Sequence, residues 1–209
     1  DKGNVSRANQ QQVDQAGFHY VASLTASSQR ALIAEANQKL EPVSLGEETI
    51  QAFKATKTIW GAERVVVVVV SERLRDGQRR GILQHVGSAQ RWLERLAGTL
   101  RRGKQKRDRA KIERDIETRL MGRQHLRKVL RVALQGTGRK LTVTYSFDQA
   151  AFDELSRDWL GRLVLVTDQK DWSTPEIIRA YRGQSDVEAV FAHLKDPLHV
   201  ALRPQFHWT

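Results

Sequence analysis

Four polar residues near the end of the chain share one helical spacing. Tyr181, Gln184, Glu188 and Lys195 follow one another at intervals of three, four and seven residues. In an α-helix they line one stripe about four turns long. A carboxylate on such a stripe can hold a metal ion, and a phenol, an amide and an ammonium can hold phosphate oxygens. The stripe therefore suits phosphodiester chemistry, although the ordinary polar face of an amphipathic helix would contain the same residue types.

Other catalytic and metal-binding motifs are weak or absent in the sequence. The chain has no cysteine, which excludes a disulfide scaffold, a thiolate zinc site and a cysteine nucleophile. Its six histidines lack the spacing of a zinc site. Residues 98–104 match most of a phosphate-binding loop, but Gln105 stands where that loop needs a hydroxyl for magnesium.

Basic residues are concentrated in one segment. The 209 residues include 35 Lys and Arg against 24 Asp and Glu, a net charge of +11. Residues 101–140 contain 15 basic and 4 acidic residues, a difference that equals the whole net charge. We expect the start of this segment to contact nucleic-acid phosphates through Arg101, Arg102, Lys104, Lys106 and Arg107. A solvated helical arm would have the same composition.

The periodicity of apolar residues predicts an α/β chain of mixed α+β type. Helices are expected at 6–16, 29–40, 82–100, 112–136 and 174–195, with a short one after Asp148, and strands at 18–24, 59–70, 141–147 and 163–167. The helices around 82–136 would form a basic helical hairpin. The longest apolar run, Val65 to Val70, is too short to span a bilayer, so we expect no membrane partner.

Residues 181–195 (YRGQSDVEAVFAHLK) resemble the signature helix of bacterial insertion-sequence transposases of the DDE type. That signature is Tyr, two residues, Arg, three residues, Glu, six residues, Lys. The spacing is kept, with Gln184 in place of the arginine. The neighbouring Arg182, about 100° around the helix from Tyr181, is a candidate to serve instead. The segments 163–172 and 203–209 also look like this family, and Asp1 begins a stretch similar to its second catalytic motif.

The resemblance implies an RNase H-like core, a mixed sheet with helices on both faces, and a catalytic Asp-Asp-Glu triad. Asp1 and Glu188 would be its second and third members and would hold Mg²⁺ or Mn²⁺ ions, about 4 Å apart in two-metal sites. Tyr181, Arg182, Gln184 and Lys195 would position a strand of double-stranded DNA at a transposon end or target. The enzyme would hydrolyse and transfer strands without a covalent intermediate.

The resemblance also implies a domain layout. Residues 1–24 would be the remnant of the RNase H-like core, with a helix and its last strand. Residues 25–160 would be a large inserted subdomain that holds the basic hairpin, and residues 161–209 would return to the core with the glutamate helix 174–195. The first Asp would precede residue 1, so we expect the C-terminal portion of a transposase that does not cleave DNA by itself.

Two other functions stay open. The chain could be a non-catalytic DNA-binding or inhibitory truncated transposase, or it could be an inactive gene remnant. The resemblance implies a bacterial cytoplasmic, nucleoid-associated protein with double-stranded DNA as partner and no small-molecule substrate. A homodimer is an option, because such transposases usually act as dimers on paired ends.

Overall fold

The computed structural model describes residues 7–103, 107–121 and 125–195, with the backbone alone for residues 7, 121 and 185–195. The fold is mixed α+β, as predicted. In chain order the elements are α1 (Arg7–Gln15), β1 (Val21–Leu24), α2 (Arg30–Gln38), β2 (Glu41–Leu45), β3 (Glu48–Ile59), β4 (Ala62–Val70), α3 (Glu72–Arg101), α4 (Arg109–Met121), α5 (Leu126–Val129), β5 (Leu130–Gln135), β6 (Thr142–Phe147), α6 (Gln149–Asp158), β7 (Arg162–Thr167) and α7 (Thr174–Lys195).

The chain divides into two compact units. Within the described residues, unit 1 comprises the chain up to Val70 and from Arg162 onward, and unit 2 comprises Ser71–Gly161. The sequence-based layout instead begins the inserted subdomain at residue 25, inside what the structure groups as unit 1. None of the described helices is long and apolar enough to cross a membrane.

Unit 1 is built on a five-stranded sheet in the order β1-β7-β4-β3-β2. All four pairings are antiparallel, so the described strands do not form the mixed sheet that an RNase H-like core has. Two-residue turns join β2 to β3 and β3 to β4, and such turns connect only antiparallel neighbours. The second turn, Trp60-Gly61, has positive φ at both positions, as a tight hairpin needs.

The six valines of β4 face both sides of this sheet. Val65, Val67 and Val69 pack in one cluster with Ile177 and Ile178 of α7. Val66 and Val68 are also fully buried, and the alternation of a strand directs them to the other face. Helix α2 contacts β4 and is itself buried at Ile33 and Ala36. The run of valines is therefore a strand buried on both faces, as its composition predicts.

Unit 2 has its own hydrophobic core. The long helix α3, the β5–β6 hairpin and helices α4, α5 and α6 all contribute buried residues to one cluster. The side chain of Ser71 accepts a hydrogen bond from the backbone N–H of Leu74 and caps α3. Asp148 caps α6 in the same way, and Phe152 and Leu155 point into the core as predicted.

Three predicted elements are wrong in extent or type. The second helix of the basic hairpin ends at Met121, and Leu130–Gln135 forms β5 instead, because Leu130, Val132 and Leu134 alternate with more exposed residues and pair with β6. Helix α3 begins at Glu72, ten residues earlier than predicted. The strand predicted at 59–70 is the second arm of a hairpin whose first arm, β3, starts at Glu48. The remaining predicted helices and strands are confirmed, with ends that shift by a few residues.

Candidate active site and its surroundings

Helix α7 begins with a capping box. The Ser173 backbone N–H donates to Glu176 Oε2 at 2.7 Å, and the Ser173 hydroxyl donates to the same oxygen at 2.6 Å. The backbone N–H of Glu176 returns a bond to Ser173 Oγ at 3.5 Å. Hydrogen bonds from Ser173 hold the pKa of the Glu176 carboxyl below its usual value. The helix then runs without a break to Lys195, so the four signature positions lie on one element.

The first turns of α7 lie against the sheet of unit 1. Ile177 and Ile178 are buried in the cluster beneath the helix, and Tyr181 packs partly buried against the same cluster. The helix contacts β1, β2 and β7. Packing therefore fixes the ring of Tyr181, whereas the side chain of Gln184, one turn later, is exposed. The backbone of residues 188 and 195 belongs to α7, but the side chains of Glu188 and Lys195 lie outside the described part.

Arg182 has a partner on the sheet. Its guanidinium donates to the two carboxylate oxygens of Glu48, at the start of β3, at 2.6 and 3.3 Å. The hydrogen bond from Arg182 lowers the pKa of Glu48, and the same pair raises the pKa of Arg182. The residue expected to replace the signature arginine is thus occupied by an ion pair within unit 1.

The predicted phosphate-contacting turn belongs to unit 2. Arg101 ends α3 with an exposed side chain, and Arg102 donates to Thr99 Oγ1 at 3.3 Å. The backbone N–H of Arg107 donates to the Gly138 carbonyl at 3.4 Å. Lys104 and Lys106 lie outside the described residues, as does the predicted catalytic residue Asp1. The signature helix and the basic turn are consequently carried by different units of the chain.

The structure contains a polar network at the end of β7 that the sequence does not predict. Asp168 accepts a hydrogen bond from His19 Nδ1 at 2.6 Å, from the backbone N–H of Tyr20 at 3.1 Å and from Gln169 Nε2 at 3.3 Å. Burial raises the pKa of Asp168, but these hydrogen bonds, led by that from His19, outweigh it, so the net pKa lies below the usual value. The hydroxyl of Thr167 adds a bond to the Tyr20 carbonyl at 2.6 Å.

The network continues through Tyr20 to the start of β4. Arg64 Nε donates to the Tyr20 hydroxyl at 2.8 Å, and the same guanidinium forms an ion pair with Asp14 of α1. Burial is the largest cause of the raised pKa of Tyr20, which Arg64 opposes. The contacts tie α1, β1, β4 and β7 together at one end of the sheet. Within the described part of the chain, no three His, Asp or Glu side chains are grouped closely enough to hold a metal ion.

No protein-family model, curated protein or solved structure matches the chain. The transposase resemblance therefore depends on the residues quoted above, and above all on the spacing carried by α7. Asp1 and Glu188, the two residues expected to hold magnesium, both lie outside the described side chains.

Sequence reasoning could have found only part of the network around Asp168. A polar residue directly after a buried strand is a usable signal, and Asp168 directly follows β7. Its partner His19 is 149 positions away, and only the antiparallel register of Val21 with Thr167 brings the two together. That register is a property of the folded sheet, with no counterpart in local spacing.

Proposed function

We propose that the chain is part of a DNA transposase of the DDE type, which cleaves and joins DNA strands with the help of Mg²⁺ or Mn²⁺. The observation that carries the proposal is α7, a capped and unbroken helix that follows β7, lies on the sheet and keeps the spacing of Tyr181, Gln184, Glu188 and Lys195. A helix built in this way can present a carboxylate and several phosphate-binding groups from a rigid support.

Each signature residue has a role that its chemistry supports. Glu188, with Asp1 and a further Asp, would hold Mg²⁺, because this ion prefers carboxylate oxygens. When bound, the metal supplies activation of the attacking hydroxyl and stabilisation of the leaving oxygen. The ring of Tyr181 is fixed by packing, so its hydroxyl can hold a phosphate oxygen with little loss of entropy. Gln184 and Lys195 would hold neighbouring phosphates of the same strand.

The fold that we propose is more specific than the mixed α+β architecture described above. We propose that β1 is the last strand of an RNase H-like core and that β7 and β2–β4 extend its sheet. In support, α7 packs on one face of the sheet and α2 contacts its central strand β4, and β1 stands at one edge of the order β1-β7-β4-β3-β2. The other core strands would then add to the outer edge of β1.

Cleavage by the whole reading frame that contains this chain tests the proposed function. We expect nicking of supercoiled plasmid with Mg²⁺ or Mn²⁺ and none with EDTA. Glu188→Gln should abolish nicking, because it removes a metal ligand. Glu176→Gln is the matched control on the same helix and should keep activity, since a glutamine also completes a capping box. Full activity of the Glu188 variant would reject the proposed role of Glu188.

A second candidate, a DNA-binding protein without catalysis, is favoured by the distribution of charge. Unit 2 contains 22 basic and 11 acidic residues, a difference of +11, whereas the rest of the chain has 13 of each. A variant that neutralises Arg101, Arg102, Lys104 and Arg107 should flatten the salt dependence of DNA binding if the basic turn contacts phosphates. Salt-dependent binding by the whole reading frame, without metal-dependent cleavage, would favour this candidate over the enzyme.

A further inference from the structure

Helix α3 presents a row of arginines on the face opposite its buried side. Its buried residues include Ile82, Val86 and Leu93. The side chains of Arg73, Arg80, Arg91 and Arg95 are exposed, and so is that of Arg102 immediately after the helix. At about 100° per residue these five fall within a sector of about 60°, centred about 180° from the buried residues. We call these five residues the arginine row.

No acidic residue of α3 lies within the sector of the arginine row. Gln84 and Gly98 share its sector, and Gly87 lies about 20° outside it. The closest acidic residues of α3, Asp76 and Glu94, lie about 70° to one side of its centre. Among the described residues, none of the five arginines forms an ion pair.

Two arginines on other sides of α3 are engaged within unit 2. Arg75 pairs with Glu72 at 2.8 Å, and Arg79 lies over the ring of Phe152 at 5.0 Å. Neither Arg75 nor Arg79 belongs to the arginine row. The basic residues of α3 are all arginine, the side chain whose planar fork binds phosphate with two hydrogen bonds.

We propose that the arginine row binds the phosphate backbone of double-stranded DNA. The row has two groups, Arg73 with Arg80, and Arg91, Arg95 and Arg102. Arg91 follows Arg80 by eleven positions, a rise of about 16 Å along the helix. The major groove of B-form DNA is about 12 Å wide, and a phosphate backbone runs along each side of it. One group can contact each backbone, with Gln84 and Gly87 over the groove between them.

The chemistry of α3 favours DNA over the other anionic partners. A membrane surface binds helices through an apolar face flanked by basic residues, but the apolar face of α3 is used by the core of unit 2. Duplex RNA has a deep and narrow major groove, which does not match the separation of the two groups. The surface holds whether or not the chain cleaves DNA, because it lies in unit 2 and the signature helix lies in unit 1.

Filter binding of the full chain to a 30-base-pair DNA duplex across a salt series tests the proposal. The variant combines Arg73→Gln, Arg80→Gln, Arg91→Gln and Arg95→Gln. Each lost phosphate contact should flatten the slope of log affinity against log salt by about 0.9. The charge-matched control combines Arg30→Gln, Lys111→Gln, Arg114→Gln and Arg179→Gln, four exposed residues outside the row and the basic turn. The control should keep the wild-type slope.

Two double variants test the proposal even if the variant with four substitutions does not fold. The pairs Arg73→Gln with Arg80→Gln, and Arg91→Gln with Arg95→Gln, should each flatten the slope by about 1.8. Equal slopes for the wild type and the row variants would overturn the proposal, as would equal losses in the row variant and the control. Duplex RNA or anionic vesicles that bind as tightly as DNA, with the same sensitivity to the row, would also overturn it.

Discussion

The guanidinium of Arg182 and the carboxylate of Glu48 form a two-bond ion pair that joins the middle of α7 to the start of β3, with N–O distances of 2.6 and 3.3 Å. This pair connects an edge region of the sheet to the helix that carries the proposed catalytic glutamate. It also gives a structural role to Arg182, the arginine nearest to Gln184, which occupies the position of the signature arginine.

The Arg182–Glu48 pair is expected to stabilise the fold only weakly. Both side chains are about half exposed, at 50% and 53%, so water screens their attraction. A double-mutant cycle with Arg182→Gln and Glu48→Gln should give a coupling energy of about 0.2–1 kcal/mol in urea unfolding. DNA binding decides whether Arg182 has a second role. If Glu48→Gln tightens DNA binding and Arg182→Gln weakens it, Arg182 contacts DNA and Glu48 competes with DNA for its guanidinium.

The polar network at the end of β7 predicts a specific loss of stability in acid. The pKa of Asp168 is lower in the folded chain than the unfolded value of about 3.9. Its contribution is therefore fully present above that value and is lost as the pH falls towards the folded pKa. Asp168→Asn should reduce the free energy of unfolding at pH 7 by about 1–3 kcal/mol, because it weakens the bonds from His19 and Tyr20.

Urea unfolding at pH 7 and at pH 3 measures this effect. The gap between the wild type and Asp168→Asn should shrink at the lower pH. At pH 3, below the unfolded pKa of about 3.9, the unfolded chain binds a proton at this carboxyl more readily than the folded chain does, which favours unfolding of the wild type. Asp153→Asn is the comparison, because Asp153 is an exposed residue of α6 outside the network. A gap that stays constant from pH 7 to pH 3 would contradict the assignment of the stabilisation to the ionised carboxylate.

Gly161 and Gly81 should respond in opposite ways to the same substitution. Gly161 has φ of +74°, and a Cβ there would lie 2.7 Å from the Ser71 carbonyl oxygen. Gly161→Ala should therefore destabilise unit 2 by about 2 kcal/mol or more. Gly81 is inside α3 with nothing within 4 Å of an added Cβ, so Gly81→Ala should stabilise it by about 0.5–1 kcal/mol. Thermal melts of the two variants give both values, and a loss of stability in both would contradict this account of Gly81.

Regular periodicity explains which elements could be predicted from the sequence. Helix α7 has a capping box at its start and no break before Lys195, and β4 is a run of β-branched residues. The sequence does not predict β5, because Leu126, Val129, Leu130 and Ala133 continue a helical spacing. Leu130, Val132 and Leu134 also alternate as in a strand. Pairing with β6 decides between the two patterns, and that pairing is a tertiary contact.

The candidate site can be predicted from the sequence only where its residues lie on one helix at a regular spacing. The signature on α7 is read directly from its spacing, and the helix is confirmed. The Arg182–Glu48 pair spans 134 positions and depends on where α7 crosses the sheet. The concentration of basic residues at 101–140 does not predict the arginine row. Most of the row precedes residue 101, and its arginines share one face only because α3 begins at Glu72.

Restoring the signature arginine is expected to strengthen DNA binding. Gln184 is exposed on α7, so Gln184→Arg adds a positive charge without disturbing the core. If the signature stripe follows a DNA strand, the new guanidinium gains a phosphate contact and steepens the salt dependence of binding by about 0.9. Gly183→Arg adds the same charge about 100° away on the same helix, where an added Cβ meets nothing within 4 Å. It should leave the slope unchanged, and if both variants steepen it equally, the gain comes from net charge and the stripe does not contact the strand.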